Sequence, residues 1–234
     1  MSRFWGEPVE LWLTPAGCAL RAGADTVHLP TTGAEPAWPA ALAAHLPARA
    51  RVLARVDDRW VRYLVCRWPT AIRGRKEREA WLAHQFRQVH GLADADWVMC
   101  RDADPAAAAF VACALPRALV EALQAVVRQA RGRLVSLTGA FVARYNALAR
   151  QLDAGDGALA LTDGGRLTLG VWRDGQWTAL LSRALGEGDA LAAWRELTPL
   201  CVTGEAAPAG VLFHAGTVLT APEGWTTRAV AIAA

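Results

Sequence analysis

The stretch Leu159-Ala-Leu-Thr-Asp-Gly-Gly-Arg-Leu-Thr-Leu-Gly-Val-Trp-Arg-Asp-Gly-Gln-Trp177 holds two apolar runs joined at one Asp-Gly and a third entered through another. Asp-Gly between alternating apolar residues is a strong short-range sign of a hairpin, because both central residues of the tight turn need positive φ. The stretch therefore predicts a three-strand meander, with strands at Leu159 to Leu161, Leu167 to Trp172 and Gln176 to Ser182. A helix from about Asp189 to Leu200 and two closing strands, near Val211 to His214 and Arg228 to Ile232, follow it.

Upstream the same order recurs. Short strands are expected at Val9 to Leu13 and Cys18 to Arg21, with a turn at Pro15-Ala16-Gly17 and a further strand possible up to Leu29. Prolines 36, 39 and 47 bracket a short helix over Ala40 to Leu46. Arg51 to Val56 and Arg59 to Cys66 read as a hairpin about Asp57-Asp58, and Leu82, Phe86 and Val89 recur at helical spacing before Gly91. Strands at Trp97 to Cys100 and Ala109 to Ala114 precede two helices separated by a strand at Arg133 to Leu137. Leu119, Leu123, Val126 and Ala130 line the first helix, and Phe141, Tyr145, Leu148 and Leu152 the second. Glycines and aspartates from Asp153 to Gly157 mark the best boundary.

Composition narrows the class. The chain has 234 residues, 53% of them hydrophobic and 20% charged, which suits a packed globular protein. No run approaches the roughly 18 apolar residues of a membrane helix, and Met1 to Val9 lacks the apolar core of a secretory signal, so a cytoplasmic location is expected. A formal charge of +3 gives no reason to expect nucleic acid. The cysteines at 18, 66, 100, 113 and 201 form no Cys-x-x-Cys pair, so they read as buried free thiols and not as a metal centre.

Three strands followed by alternating helices and strands, twice over, resembles the ground plan of the actin-like ATPases. Asp58 to Pro69, Glu77 to Gly91, Gly139 to Leu148 and Leu159 to Gly188 resemble, within that superfamily, the actin-like cytoplasmic proteins of bacterial type IV pilus and type II secretion machines, the PilM and GspL cytoplasmic-domain kind. The resemblance implies an α/β fold of two ribonuclease-H-like halves. Residues 1–154 would form the first half, with an inserted α/β subdomain at about 51–115, and residues 155–234 a shortened second half.

The same resemblance directs attention to three loops. Asp163, Gly165 and Thr168 fall on Asp-x-Gly-x-x-Thr, the spacing of the family's phosphate-binding turn, in which amides and the Thr hydroxyl face a phosphate and the Asp orients metal-bound water. The structural reading stands beside it, since Asp-Gly also simply closes hairpins. In the first half Thr14 stands where the family carries an acid, and Pro15 removes an amide. Phe213 to Thr217 takes the place of the adenosine loop with one glycine, Gly216.

The resemblance thus implies a non-catalytic adaptor with no cofactor or metal. It would bind the cytoplasmic tail of a single-span inner-membrane pilus or secretion protein and be peripheral to the membrane through that partner, with a homodimer left open. The alternative is a nucleotide hydrolase or phosphotransferase that uses ATP and magnesium at Asp163.

Other groups read more plainly. His214 has no elbow-flanked Ser or Cys to serve, and His84 and His90 are six apart on one helix, off a common face. The run Arg73 to Glu79 is a mixed-charge helix start, solvated or facing anionic lipid headgroups or an acidic partner segment. Among 11 tryptophans, Trp172 and Trp177 flank a tight turn and are placed to stack across it, and an exposed aromatic patch would favour a protein partner.

Overall fold

The computed structural model describes residues 8–30, 38–101, 109–152, 155–186, 192–216 and 221–231. Asp153, Asp189, Thr217 and Ile232, which figure in the expected boundary, helix, loop and last strand, lie outside them. The first elements are β1 (Val9–Thr14), β2 (Gly17–Ala22), β3 (Asp25–Pro30), α1 (Trp38–His45), β4 (Arg51–Val56), β5 (Arg62–Cys66), α2 (Arg75–His90), β6 (Trp97–Arg101) and β7 (Phe110–Pro116). Then come α3 (Arg117–Gln129), β8 (Arg133–Gly139), α4 (Ala140–Leu148), β9 (Gly157–Asp163), β10 (Arg166–Arg173), β11 (Gln176–Ala184), α5 (Ala192–Thr203), β12 (Gly210–Ala215) and β13 (Trp225–Ala229). They form two compact units, residues 1–61 with 115–143 and residues 62–114 with 144–234.

In the first unit one sheet runs β3-β2-β1-β4-β8. β1 pairs antiparallel with β2 and parallel with β4, and β4 pairs parallel with β8. The alternation of β1 buries Val9, Leu11 and Leu13 on one face, in line with Val52, Ala54 and Val56 of β4. Trp38 and Leu42 of α1 and Val120, Leu123, Val126 and Val127 of α3 are buried with them. The α3 face is rotated from the expected one: Val120 and Val127 are buried, whereas Leu119 and Ala130 are not. A period of 3.6 fits either stripe, and tertiary packing selects one.

Arg51 to Val56 does not form the expected hairpin with Arg59 to Cys66. Its partners are β1 and β8, both parallel, while β5 pairs antiparallel with β7. Asp57-Asp58 resembles a hairpin turn but serves another purpose, described below. On the outer face of the first sheet, Trp12 lies between the guanidinium groups of Arg21 and Arg55, 5.3 and 5.1 Å from its ring centre. Glu10 holds both cations, at 2.6 and 3.6 Å.

The second unit holds two sheets. One, β5-β7-β6, carries α2 on a face where Cys66, Leu82, Phe86, Leu92, Phe110, Ala112 and Ala114 form a core. Gly91, at φ 67°, ends α2 as expected and returns its amide to the Arg87 carbonyl. His90 is a packing residue, with Nε2 3.0 Å from the Tyr63 carbonyl and its ring stacked on Phe86. Glu77 accepts the Gly74 amide at 3.1 Å, so an acid offsets the cations at this helix start.

The other sheet runs β11-β10-β9-β12-β13, the same order as in the first unit, with β9, β12 and β13 parallel. The twofold meander read from the sequence is therefore present. Both turns are two-residue loops of the mirror-image kind, the second at the expected Asp174-Gly175 with φ 50° and 70°, the first one residue later than its Asp-Gly suggests, at Gly164-Gly165 with φ 53° and 74°. Leu167, Leu169 and Val171 face a core with Ala192, Ala193 and Leu197 of α5. β13 lies three residues earlier than expected, because Gly224 at φ 84° starts it and Trp225 packs against Gly210.

Trp172 is 4% exposed and meets Trp177 edge-on at 5.8 Å, with Tyr145 of α4 close to both rings. Gly157 makes room for it, since a β-carbon there would lie 2.6 Å from the indole. Gly157→Ala is expected to lose about 1–3 kcal/mol of stability by urea denaturation. The further loss should be smaller when Trp172 is already Leu, because the clashing ring is gone.

Candidate functional site

Open α/β sheets place ligands outside the carboxyl ends of their parallel strands, where loops diverge. In the second sheet that edge holds the β9–β10 turn and the residues after β12, because Ala215 pairs with Leu161. Gly216 lies hard against Thr162 at φ 87°, leaving no space for a β-carbon, and Thr162 donates to the Ala215 carbonyl at 3.2 Å. The β9–β10 turn and the start of the expected adenosine loop are thus neighbours within one unit. Thr217, the loop's last expected residue, lies outside the described residues.

Each of the three expected phosphate-turn residues has a definite place. Asp163 closes β9 and pairs across the turn with Arg166, so the loop itself is Gly164-Gly165. Its carboxylate accepts from Arg144 of α4 at 2.6 Å. Gly165 is open, since a β-carbon added there would have no neighbour within 4 Å, and its carbonyl accepts the Leu185 amide at 2.8 Å. Thr168 is 2% exposed and lies inside the sheet, where its hydroxyl meets that of Ser182 at 3.0 Å. Arg166 reaches the same Ser182 oxygen at 3.1 Å. The spacing therefore brings Asp163 and Gly165 to one rim and turns Thr168 into the fold.

His214 is half-buried on β12, and its backbone carbonyl accepts the Val230 amide at 2.9 Å. Its Nδ1 is enclosed with no hydrogen-bond partner among the described residues.

In the first unit the corresponding rim is the turn after β1. Thr14 and Gly17 pair across Pro15-Ala16, and the Thr14 hydroxyl donates to the Gly17 carbonyl at 3.1 Å. The acid missing at this position stands one strand over. Asp57 follows β4 and gives its amide to the Leu13 carbonyl at 2.8 Å, and Asp58 beside it is 8% exposed. Both Asp58 oxygens lie 3.1 Å from the Phe141 amide at the start of α4, so the buried carboxylate caps that helix. Sequence reading missed this role because the partner is 83 residues away. The Asp57-Asp58 pair after an apolar strand was the available sign.

No protein-family model and no curated protein sequence matches the chain. The solved structures it resembles define its fold as that of the actin-like ATPases. One is a Bacteroides thetaiotaomicron protein of actin-like ATPase fold and unknown function, at 10% identity and a TM-score of 0.60, covering 90% of this chain and 82% of that one. A second is the cytoplasmic domain of EpsL, an inner-membrane component of the Vibrio cholerae type II secretion system, at 9% identity and 0.59, covering 95% and 89%. A third is in the PilM–PilN type IV pilus biogenesis complex, at 16% identity and 0.58, covering 85% and 68%. No described helix is long and apolar enough to cross a membrane.

Two substitutions separate the acids by role. Asp58→Ala should cost about 1–3 kcal/mol in urea denaturation, since it removes a buried carboxylate cap from the start of α4. Asp163→Ala should cost under about 1 kcal/mol, and less still in roughly 0.5 M salt, because its ion pair with Arg144 is largely exposed.

Proposed function

We propose that the chain is a non-catalytic actin-like adaptor of a type IV pilus or type II secretion inner-membrane assembly, holding the cytoplasmic tail of a single-span membrane partner at the inner face of that membrane. What carries the reading is how the polar groups of both turns are engaged. A carboxylate that orients metal-bound water and a hydroxyl that faces phosphate must be available to the ligand. Asp163 carries a guanidinium at 2.6 Å, Thr168 is sealed in the sheet against Ser182, and Thr14 bonds its own turn. These engagements weigh against a magnesium-charged triphosphate, the burial of Thr168 most heavily, since the Asp163 ion pair is exposed and weak. The likeness of fold to the EpsL cytoplasmic domain and to the PilM–PilN complex supports the choice of machine.

One observation favours a second reading, nucleotide binding by the turn at Asp163, Gly165 and Thr168. Gly164 and Gly165 form a positive-φ turn, open at Gly165, at the carboxyl end of the parallel strands near Gly216. A single melting experiment separates the two. A site saturated about 100-fold above its Kd by ATP with magnesium would add about 2.7 kcal/mol and raise the unfolding midpoint. The adaptor reading expects no rise, and a rise abolished in Asp163→Ala would establish the nucleotide reading instead.

The adaptor reading also has a positive test. Immobilised protein should retain synthetic cytoplasmic tails of single-span pilus or secretion membrane proteins, and recover the parent protein from detergent-solubilised membranes. Recovery of soluble metabolic enzymes alone would sink it.

A further inference from the structure

Two thiols on neighbouring strands have no part in any of this. Cys100 of β6 and Cys113 of β7 place their sulfurs 3.1 Å apart, within hydrogen-bond reach, although they are 13 residues apart in the chain. Strand alternation fixes the face they share. Phe110, Ala112, Trp97 and Met99 belong to the core under α2, so the residues alternating with them, Cys100 and Cys113 included, lie on the sheet's other face. There Tyr63 of β5 stands directly opposite Cys113 in register. Cys100 is exposed and Cys113 half-buried, whereas Cys18 and Cys66 are buried.

We propose that Cys100 and Cys113 are a redox-reactive dithiol that closes to an intramolecular disulfide when a peroxide reaches this face. The Cys100 thiolate attacks one peroxide oxygen, the O–O bond breaks, and the departing hydroxide takes up a proton to become water. Cys100 is left as a sulfenic acid. The Cys113 sulfur then attacks the Cys100 sulfur, the S–O bond breaks, and a second water leaves with the Cys113 proton. Two thiols lose two electrons and two protons, and one peroxide becomes two waters.

Local chemistry assigns the roles within the pair. The hydrogen bond from Cys113 holds the Cys100 thiol below its ordinary range, outweighing the opposing effect of burial. Burial pushes Cys18 up, and Cys66 up to about 11, so these two remain protonated and enclosed. The thiolate that reacts first is therefore the exposed one, with its resolving partner already in contact.

The test uses the full chain, reduced, freed of reductant, exposed to hydrogen peroxide at neutral pH and alkylated after denaturation. Of its five cysteines, only three should take up label after oxidation, with a Cys100–Cys113 peptide found by mass spectrometry and five labelled again after dithiothreitol. In Cys113→Ser, Cys100 should accumulate as a sulfenic acid trapped by dimedone. In Cys100→Ser, Cys113 should stay reduced over the same period. Five labelled thiols after peroxide, or a bond from Cys100 to another chain, would overturn the proposal, and fast oxidation of Cys113 in Cys100→Ser would overturn the order of attack.

Discussion

The first strand of each five-stranded sheet must satisfy its backbone on both sides, and this requirement organises the molecule. Buried amides and carbonyls do not remain unpaired, so β1 and β9, each having one edge taken by its hairpin partner, need a second strand on the other. A parallel neighbour supplies it in both cases, β4 for β1 and β12 for β9. A parallel partner cannot arrive through a tight turn and has to cross over, so a helix intervenes: α1 before β4 and α5 before β12. The repeated strand order follows, as does the position of the loops at the rims.

Short-range chemistry was readable and long-range pairing was not. Gly164-Gly165 and Asp174-Gly175 announce their turns, because few residues accept positive φ and the requirement is local. The alternation of β1 and the glycine stop of α2 are local in the same sense. The destination of Arg51 to Val56 is different: its partners β1 and β8 lie far away in sequence, and nothing in the apolar pattern distinguishes an antiparallel neighbour from a parallel one.

The candidate site shows the same division. Asp163 and Gly165 stand on the rim, yet the Asp163 carboxylate is engaged by Arg144, nineteen residues upstream on another element. Thr168 fits the motif by count, but period-two geometry and a facing Ser182 turn it inward. Asp58 was visible as a residue and invisible as a helix cap. Tryptophan use is similar: Trp12 and Trp68 are covered by arginines, and Trp172 is locked among Tyr145, Trp177 and Phe213. Only Trp194 is exposed among the described tryptophans.

β13 closes the second sheet with Thr226, Thr227 and Arg228 all turned to solvent. Polar and cationic side chains on a marginal strand discourage zipper-like accretion of foreign backbone, the usual route from an open sheet to fibrils. A neighbour approaching this margin meets side-chain chemistry before it meets a main-chain ladder, so the second sheet is guarded against indiscriminate extension along β13.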